Sequence, residues 1–265
     1  MAAPDFLATY IQNYQTLTAI FARLTAFFML IPVLSAAGMP MQARILFAFS
    51  VSLLVLESGV CATIDPNGYA ELSLIIAKEF FTGFILGFSV YVIMNVVFFM
   101  GQLIDYQIGF SMVSVFDPMT QTQAPVTGNL IYLAVCALLV QSGGLNALIA
   151  LAAGSFRIVP IGKAVIIGNE PLAQRAALSL ATFLTMAVRL SLPIVGAMLI
   201  VDVAMGLLVK AVPQMNIFVV GMPIKLLAGL ALLWMLSPMA ASICQEAFGT
   251  AMGDALKMMH VLESY

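Results

Sequence analysis

The chain has 265 residues, 63% of them hydrophobic and only 8% charged, with a formal net charge of −2. Soluble domains carry about 25% charged residues, so composition excludes a soluble globular enzyme. No basic run interleaves with aromatics, so nothing supports nucleic acid as a partner.

Mean hydropathy is +1.09, which points to lipid or to a large apolar assembly. Cys61, Cys136 and Cys244 are far apart in apolar surroundings and form no CxxC pair. Such cysteines behave as small hydrophobes, so no metal centre and no cofactor is expected.

The first apolar run lies between Arg23 and Arg44, interrupted by Pro32 and Pro40. With Tyr14 to Ala22 it predicts a first helix ending near Leu34. A membrane span needs roughly 20 mainly apolar residues. Leu24 to Leu34 followed by Ser35-Ala36-Ala37 resembles a signal-peptide cleavage site, but 23 residues including Asp5 come first. A signal opens on a short basic segment, so no cleavage is expected here. Pro40 suits the first turn of a second helix, over about Met41 to Val60. Asp65-Pro66-Asn67-Gly68 is a turn signal.

A third, unusually long helix is expected from about Tyr69 to Ile108. Between Glu79 and Asp105 lie 25 uncharged residues. Asn95, Gln102 and Gly109 are spaced by seven, and Asp105 follows Gln102 by three. That spacing lines them on one face. An Asp at the bilayer centre costs roughly 2.5–3.5 kcal/mol on insertion scales, so Asn95, Gln102 and Asp105 are expected to face a protein interior or an aqueous passage. The stretch that follows, to Val126, breaks the apolar pattern. It holds Asp105, Asp117 and Pro118 around a small apolar cluster of Phe110, Met112, Val113, Val115 and Phe116.

Apolar residues resume from Leu130 to Ala153, with Gly143-Gly144 predicting either a bend or one straight helix. Residues 154–175 carry Arg157, Lys163 and Arg175 against Glu170, which makes this loop the best candidate for a cytoplasmic face. Ala176 to Val209 is apolar with Arg189, Pro193 and Asp202 embedded, and Leu226 to Ile243 is the last apolar run. The tail carrying Glu246, Asp254, Lys257, His260 and Glu263 reads as a short amphipathic helix. The fold class is therefore all-α and polytopic, with about six long apolar helices, some broken. Only helices or closed barrels satisfy the backbone in lipid, and alternating barrel strands are absent from the pattern.

A second polar constellation runs from Asp202 to Lys225. Asp202, Gly206 and Lys210 are four apart on one helix face. Pro213 lacks a donor, and Gln214 and Asn216 can meet freed backbone groups. Pro223 is expected to begin the next helix. The density of amides and prolines suggests a fixed turn that docks on a partner, with Asp202, Lys210, Pro213, Gln214, Asn216 and Lys225 as its residues.

GQLIDYQIGFSMVSVFDP, then a helix, then SF-x-x-x-P (Ser155, Phe156, Pro160), then D-x-x-x-G-x-x-x-K-x-x-PQMNIFVVGMPIK succeed one another along the chain. This order resembles the FliR family of flagellar export-gate proteins, related to the SctT proteins of virulence type III secretion. The resemblance covers essentially the whole chain. Lys210 stands where the family more often has Arg, and the PQMN turn favours the flagellar branch.

The resemblance implies a subunit, one copy per assembly, that builds a helical gate with FliP and FliQ at the bacterial inner membrane within the flagellar basal body. It implies FlhB at the cytoplasmic entrance and unfolded flagellar subunits as cargo. It also implies a FliP-like part over 1–128 with a plug loop at about 106–126. The part over 129–265 would contain a FliQ-like hairpin at about 176–245. On this chain Phe110, Met112, Val113, Val115 and Phe116 match the family's plug, with Asp105, Asp117 and Pro118 anchoring the loop. Apolar tips exclude water and ions without gripping a passing chain, and a hydrophobic constriction gates by dewetting.

Two other classes were weighed. Gly109-Phe110-Ser111-Met112 fits a loose GxSx protease pattern, but a serine nucleophile needs a base and the only His is His260. An ion-coupled small-solute transporter would use Asp105, Arg189 and Asp202 as intramembrane charges. The two halves do not repeat a charge pattern, a feature many transporters have. The transporter is kept as the alternative function.

Overall fold

The computed structural model describes residues 13–36, 38–66, 68–110, 125–166, 168–212, 214 and 217–263. Its elements are α1 (Tyr14–Leu30), α2 (Pro32–Ala36), α3 (Met41–Glu57), α4 (Tyr69–Met94), α5 (Val96–Ile108), α6 (Val126–Gln141) and α7 (Gly144–Ile158). There follow α8 (Glu170–Ala211), α9 (Ile217–Leu236), a 3-10 turn (Ser237–Met239) and α10 (Ala240–Glu263). No strand occurs among the described residues, so the fold is all-α.

The expected third helix is present, with a turn at Asn95 separating α4 from α5. By length and composition, Tyr69–Ile108 and Glu170–Ala211 can each cross a membrane. The bent pairs α6–α7 and α9–α10 bring the number to four if each is one span. The bend rather than the straight helix is thus realised at Gly143-Gly144. Two other expectations are corrected. Pro223 lies inside α9 instead of beginning it. The run from Leu226 to Ile243 is broken at Ser237–Met239, and the polar tail belongs to a helix of 24 residues. A Pro at 238 gives no N–H to the ladder, which suits the interruption there. Pro40 is the cap residue before α3, in extended conformation, one step earlier than its expected place in the first turn.

The chain divides into two compact units. The first comprises residues 1–93, 139–180 and 248–265; the second comprises 94–138 and 181–247. In the first, α1 buries one broad face: Ala19, Ile20, Leu24, Phe27 and Phe28 are buried. The run that resembles a signal peptide is thus core-forming. Phe21 and Phe28 meet Phe49 and Phe47 of α3 edge-on, at 5.7 and 5.0 Å between centroids, a favourable aromatic geometry. Against α4 the contact is closer still. A Cβ at Gly83 would collide with the Arg23 carbonyl, and one at Gly87 would sit 3.0 Å from the Phe27 carbonyl. Small residues four apart let helix backbones approach this way.

In the second unit Met100, Ile104 and Ile108 of α5 form a buried cluster with Ile194 and Met198 of α8. Leu190, Ala228, Leu232, Leu233 and Ile243 pack around it. The most apolar window of α8 is only 17% buried, against 61% for Tyr69–Ile108. Leu199, Ile200, Val203 and Leu207 on α8, and Leu227 and Trp234 on α9, are exposed. Exposed apolar area of this extent marks a membrane or subunit contact.

Candidate functional site

The end of α5 leads towards residues 111–124, which lie outside the described residues. The helix stops at Gly109, whose left-handed φ of 98° carries its N–H onto the Asp105 carbonyl. Only glycine adopts that conformation without a Cβ penalty. Phe110 then packs on the cluster of Met100, Ile104, Ile108, Ile194 and Met198. Met112, Val113, Val115, Phe116, Asp117 and Pro118 lie outside the described residues.

Where the chain resumes, Pro125 is buried and α6 begins at Val126. Both oxygens of Asp105 accept the Thr127 backbone N–H, at 3.2 and 3.0 Å. Asp105 is 4% exposed, so this acceptor lies out of water and caps an otherwise orphaned helix N-terminus. Four residues back, a Cβ on Gly101 would strike the backbone of Gly128. Gly128 in turn could not take a Cβ without meeting the Phe98 carbonyl. The two feet of the loop are therefore tied twice: by a carboxylate on a backbone amide and by glycine against glycine. Asn95 and Gln102, on the expected polar face, are both half-buried.

Asp202 finds its partners on other helices. Its Oδ1 takes Lys225 Nζ at 2.6 Å, and Gln107 Nε2 donates to Oδ2 at 2.8 Å. Lys210 is exposed near the end of α8, and Gln214 is exposed in the turn after it. Pro213 and Asn216 lie outside the described residues.

The first unit holds a polar centre that sequence reasoning did not anticipate. Arg23 and Glu79 pair at 2.6 Å with 1% and 0% exposure. Arg23 Nη1 also donates to Ser155 Oγ at 3.2 Å and to the Val159 carbonyl at 2.9 Å. Its guanidinium lies 4.2 Å from the Phe156 ring centroid, within cation–π range. Glu79 Oε1 accepts the Gly162 N–H at 2.8 Å. One guanidinium nitrogen, Nη2, is buried without a hydrogen-bond partner among the described residues. The signal was present in the sequence: each charge borders a long uncharged run, their signs are opposite, and Ser155-Phe156 recurs in the quoted motif. Nothing local links positions 56 residues apart.

Further along, Asp254 of α10 accepts Ser179 Oγ at 2.5 Å and faces Arg175 at 3.8 Å. Among the described residues no group of three or more His, Cys, Asp and Glu is placed to hold a metal ion. His260 faces Glu263 at 3.5 Å on the last turn of α10, and Ser111 lies outside the described residues.

Cys61, in the segment between α3 and α4, has its thiol pushed up to about 11, chiefly by burial. Arg23 opposes that shift and Glu79 adds to it. Thiolate is the reactive form. Maleimide should therefore label Cys61 at pH 8 roughly a hundredfold more slowly than a thiol of ordinary pKa, with a rate still climbing towards pH 11. A rate that levels off near pH 9 would count against this environment.

An all-α set of described residues with membrane-length apolar helices and a fully buried Arg23–Glu79 pair is that of a membrane-embedded component. The model of the family described as bacterial export proteins, family 1, matches residues 14–251. The flagellar biosynthetic protein FliR of Bacillus subtilis is 32% identical over 78% of this chain and 80% of its own length. FliR of Escherichia coli is 29% identical over 82% of each. The secretion system apparatus protein SsaT of Salmonella typhimurium is 27% identical over 59% of this chain and 60% of its own. The chain belongs to the FliR family of bacterial export proteins.

Proposed function

We propose that this chain is a non-enzymatic core subunit of the flagellar type III export gate. With FliP and FliQ it would form the channel through which unfolded flagellar subunits cross the inner membrane. The observation that carries this reading is the match over residues 14–251 to a family whose relatives are named as flagellar biosynthetic proteins. The geometry supports it in two ways. An apolar residue, Phe110, opens a loop whose feet are held by Asp105 on Thr127 and by Gly101 against Gly128. The apolar flanks of α8 and α9 are uncovered in the single chain, as a subunit surface would be.

In this reading Phe110, Met112, Val113, Val115 and Phe116 plug the channel, and Asp105, Asp117 and Pro118 anchor the loop. Asn95 and Gln102 contribute an inward polar face. Lys210, Pro213, Gln214 and Asn216 form a docking turn. FlhB sits at the entrance, membrane lipid contacts what protein leaves uncovered, and neither cofactor nor nucleic acid takes part.

Affinity capture in mild detergent tests the assembly. The chain should bring down several other apolar subunits, and recovery only as a functional monomer would overturn the reading. Replacing Gln214 and Asn216 together by Ala should lower complex yield at least about threefold, as the loss of two interfacial hydrogen bonds allows. The conductance of the complexes that do form should not change. Normal yield would remove the docking role.

A further inference from the structure

One turn before the loop, three helices of the second unit meet at a single carboxylate. Asp202 of α8 holds Lys225 of α9 on one oxygen at 2.6 Å and Gln107 of α5 on the other at 2.8 Å. The Lys225 and Asp202 side chains are 26% and 36% exposed, so water competes only in part. The same three helices supply the apolar layer beside it. Gln107 follows Ile104 by three residues, Asp202 follows Met198 by four, and Lys225 precedes Gly229 by four, which places each polar residue one turn from an apolar contact. Gly229 has no Cβ to obstruct Ile108, whose Cγ1 would lie 2.5 Å from one.

These two layers hold different things. Apolar contacts are non-directional, so Ile104, Ile108, Ile194 and Met198 keep the helices together without fixing rotation or register. A charge-assisted contact is directional and stronger. Gln107 lies three residues before Phe110, with the left-handed Gly109 between them. Whatever fixes Gln107 therefore bears on where Phe110 sits. On the α9 side, Pro223 stands two residues before Lys225 inside the helix. It has no N–H for the carbonyl of Val219, which weakens the helix there. The start of α9 is thus the compliant side of the contact.

We propose that Gln107, Asp202 and Lys225 form a latch that seats Phe110 against its apolar cluster, with Gln107 as a positioning residue for Phe110. Without Lys225 the Asp202 carboxylate turns towards water and takes Gln107 with it, and Phe110 leaves the cluster. Only the consequence for ion tightness rests on the plug reading; the seating of Phe110 does not.

The test uses the assembled membrane complex carrying this chain with its three native cysteines replaced and Phe110→Cys as the sole thiol. In that background Gln107→Glu places a second carboxylate against Asp202, and Lys225→Met removes the cation. Each should raise labelling of position 110 by a membrane-impermeant maleimide at least about tenfold, in line with the loss of a hydrogen bond to a charged group. Lys225→Arg should keep the slow rate. Asp202→Lys with Lys225→Asp should recover much of it, which a merely packed site would not do. With Phe110 restored, Gln107→Glu should raise ion leak, though less than deletion of residues 110–116. Unchanged labelling in both single variants at normal complex yield overturns the latch. So does a fall in yield with unchanged labelling, since the residues would then serve assembly. Faster labelling together with a tight deletion mutant would keep the latch and remove the plug.

Discussion

Deletion of residues 110–116 is expected to open an ion leak through the assembled complex, at least about tenfold above the intact gate by the dewetting argument. The same outcome is expected when Phe110, Met112, Val113, Val115 and Phe116 are all replaced by Ser, which keeps loop length and removes only its apolar character. In the proposed reading five apolar side chains would exclude water from a narrow passage, and ions do not cross without their hydration. Asp105 and its Thr127 contact remain in both variants, so the feet of the loop stay where they are. Flux of a small cation into vesicles holding the complex measures the effect. A membrane that stays tight after deletion, at normal complex yield, would show that the seal lies elsewhere.

Arg23→Ala or Glu79→Ala is expected to cost the fold about 3–5 kcal/mol, because each leaves the opposite charge buried and uncompensated. Arg23 and Glu79 are 1% and 0% exposed, so water cannot screen the survivor. Glu79→Ala would strand a guanidinium that already has one unpartnered nitrogen. Arg23→Ala would strand a carboxylate whose remaining hydrogen bond among the described residues is from the Gly162 N–H. The double replacement Arg23→Met with Glu79→Met should recover most of the loss, since apolar substitutes for a buried pair are often neutral or stabilising. Ser155→Ala should cost less, roughly 1 kcal/mol for one hydrogen bond. Thermal unfolding of the purified complex in detergent reads all four. A double variant as unstable as either single one would mean that the pair does more than neutralise itself.

Most helices were legible because their cause is local. Long uncharged runs and the Gly143-Gly144 break each depend on neighbours in sequence. The burial of Asp105 was legible too, from its register with Gln102 in an apolar helix. Its partner was not, because Thr127 lies 22 residues away in sequence. The same limit hid Arg23 with Glu79 and the pairing of Asp202 with Lys225, which packing of α9 on α8 and α5 brings together. Pro223 was misplaced for a related reason. A proline reads as a helix start from sequence, but an apolar segment held by neighbours keeps its helix through the defect.

The double tie at the loop's feet has a kinetic consequence. Gly101 against Gly128 and Asp105 on Thr127 hold the two ends at one separation whatever lies between them. In the proposed gate, a plug displaced by a passing polypeptide would stay tethered to both points, so its return would be an intramolecular event at high effective concentration. Reclosure would then follow first-order kinetics, independent of how many gates the membrane holds.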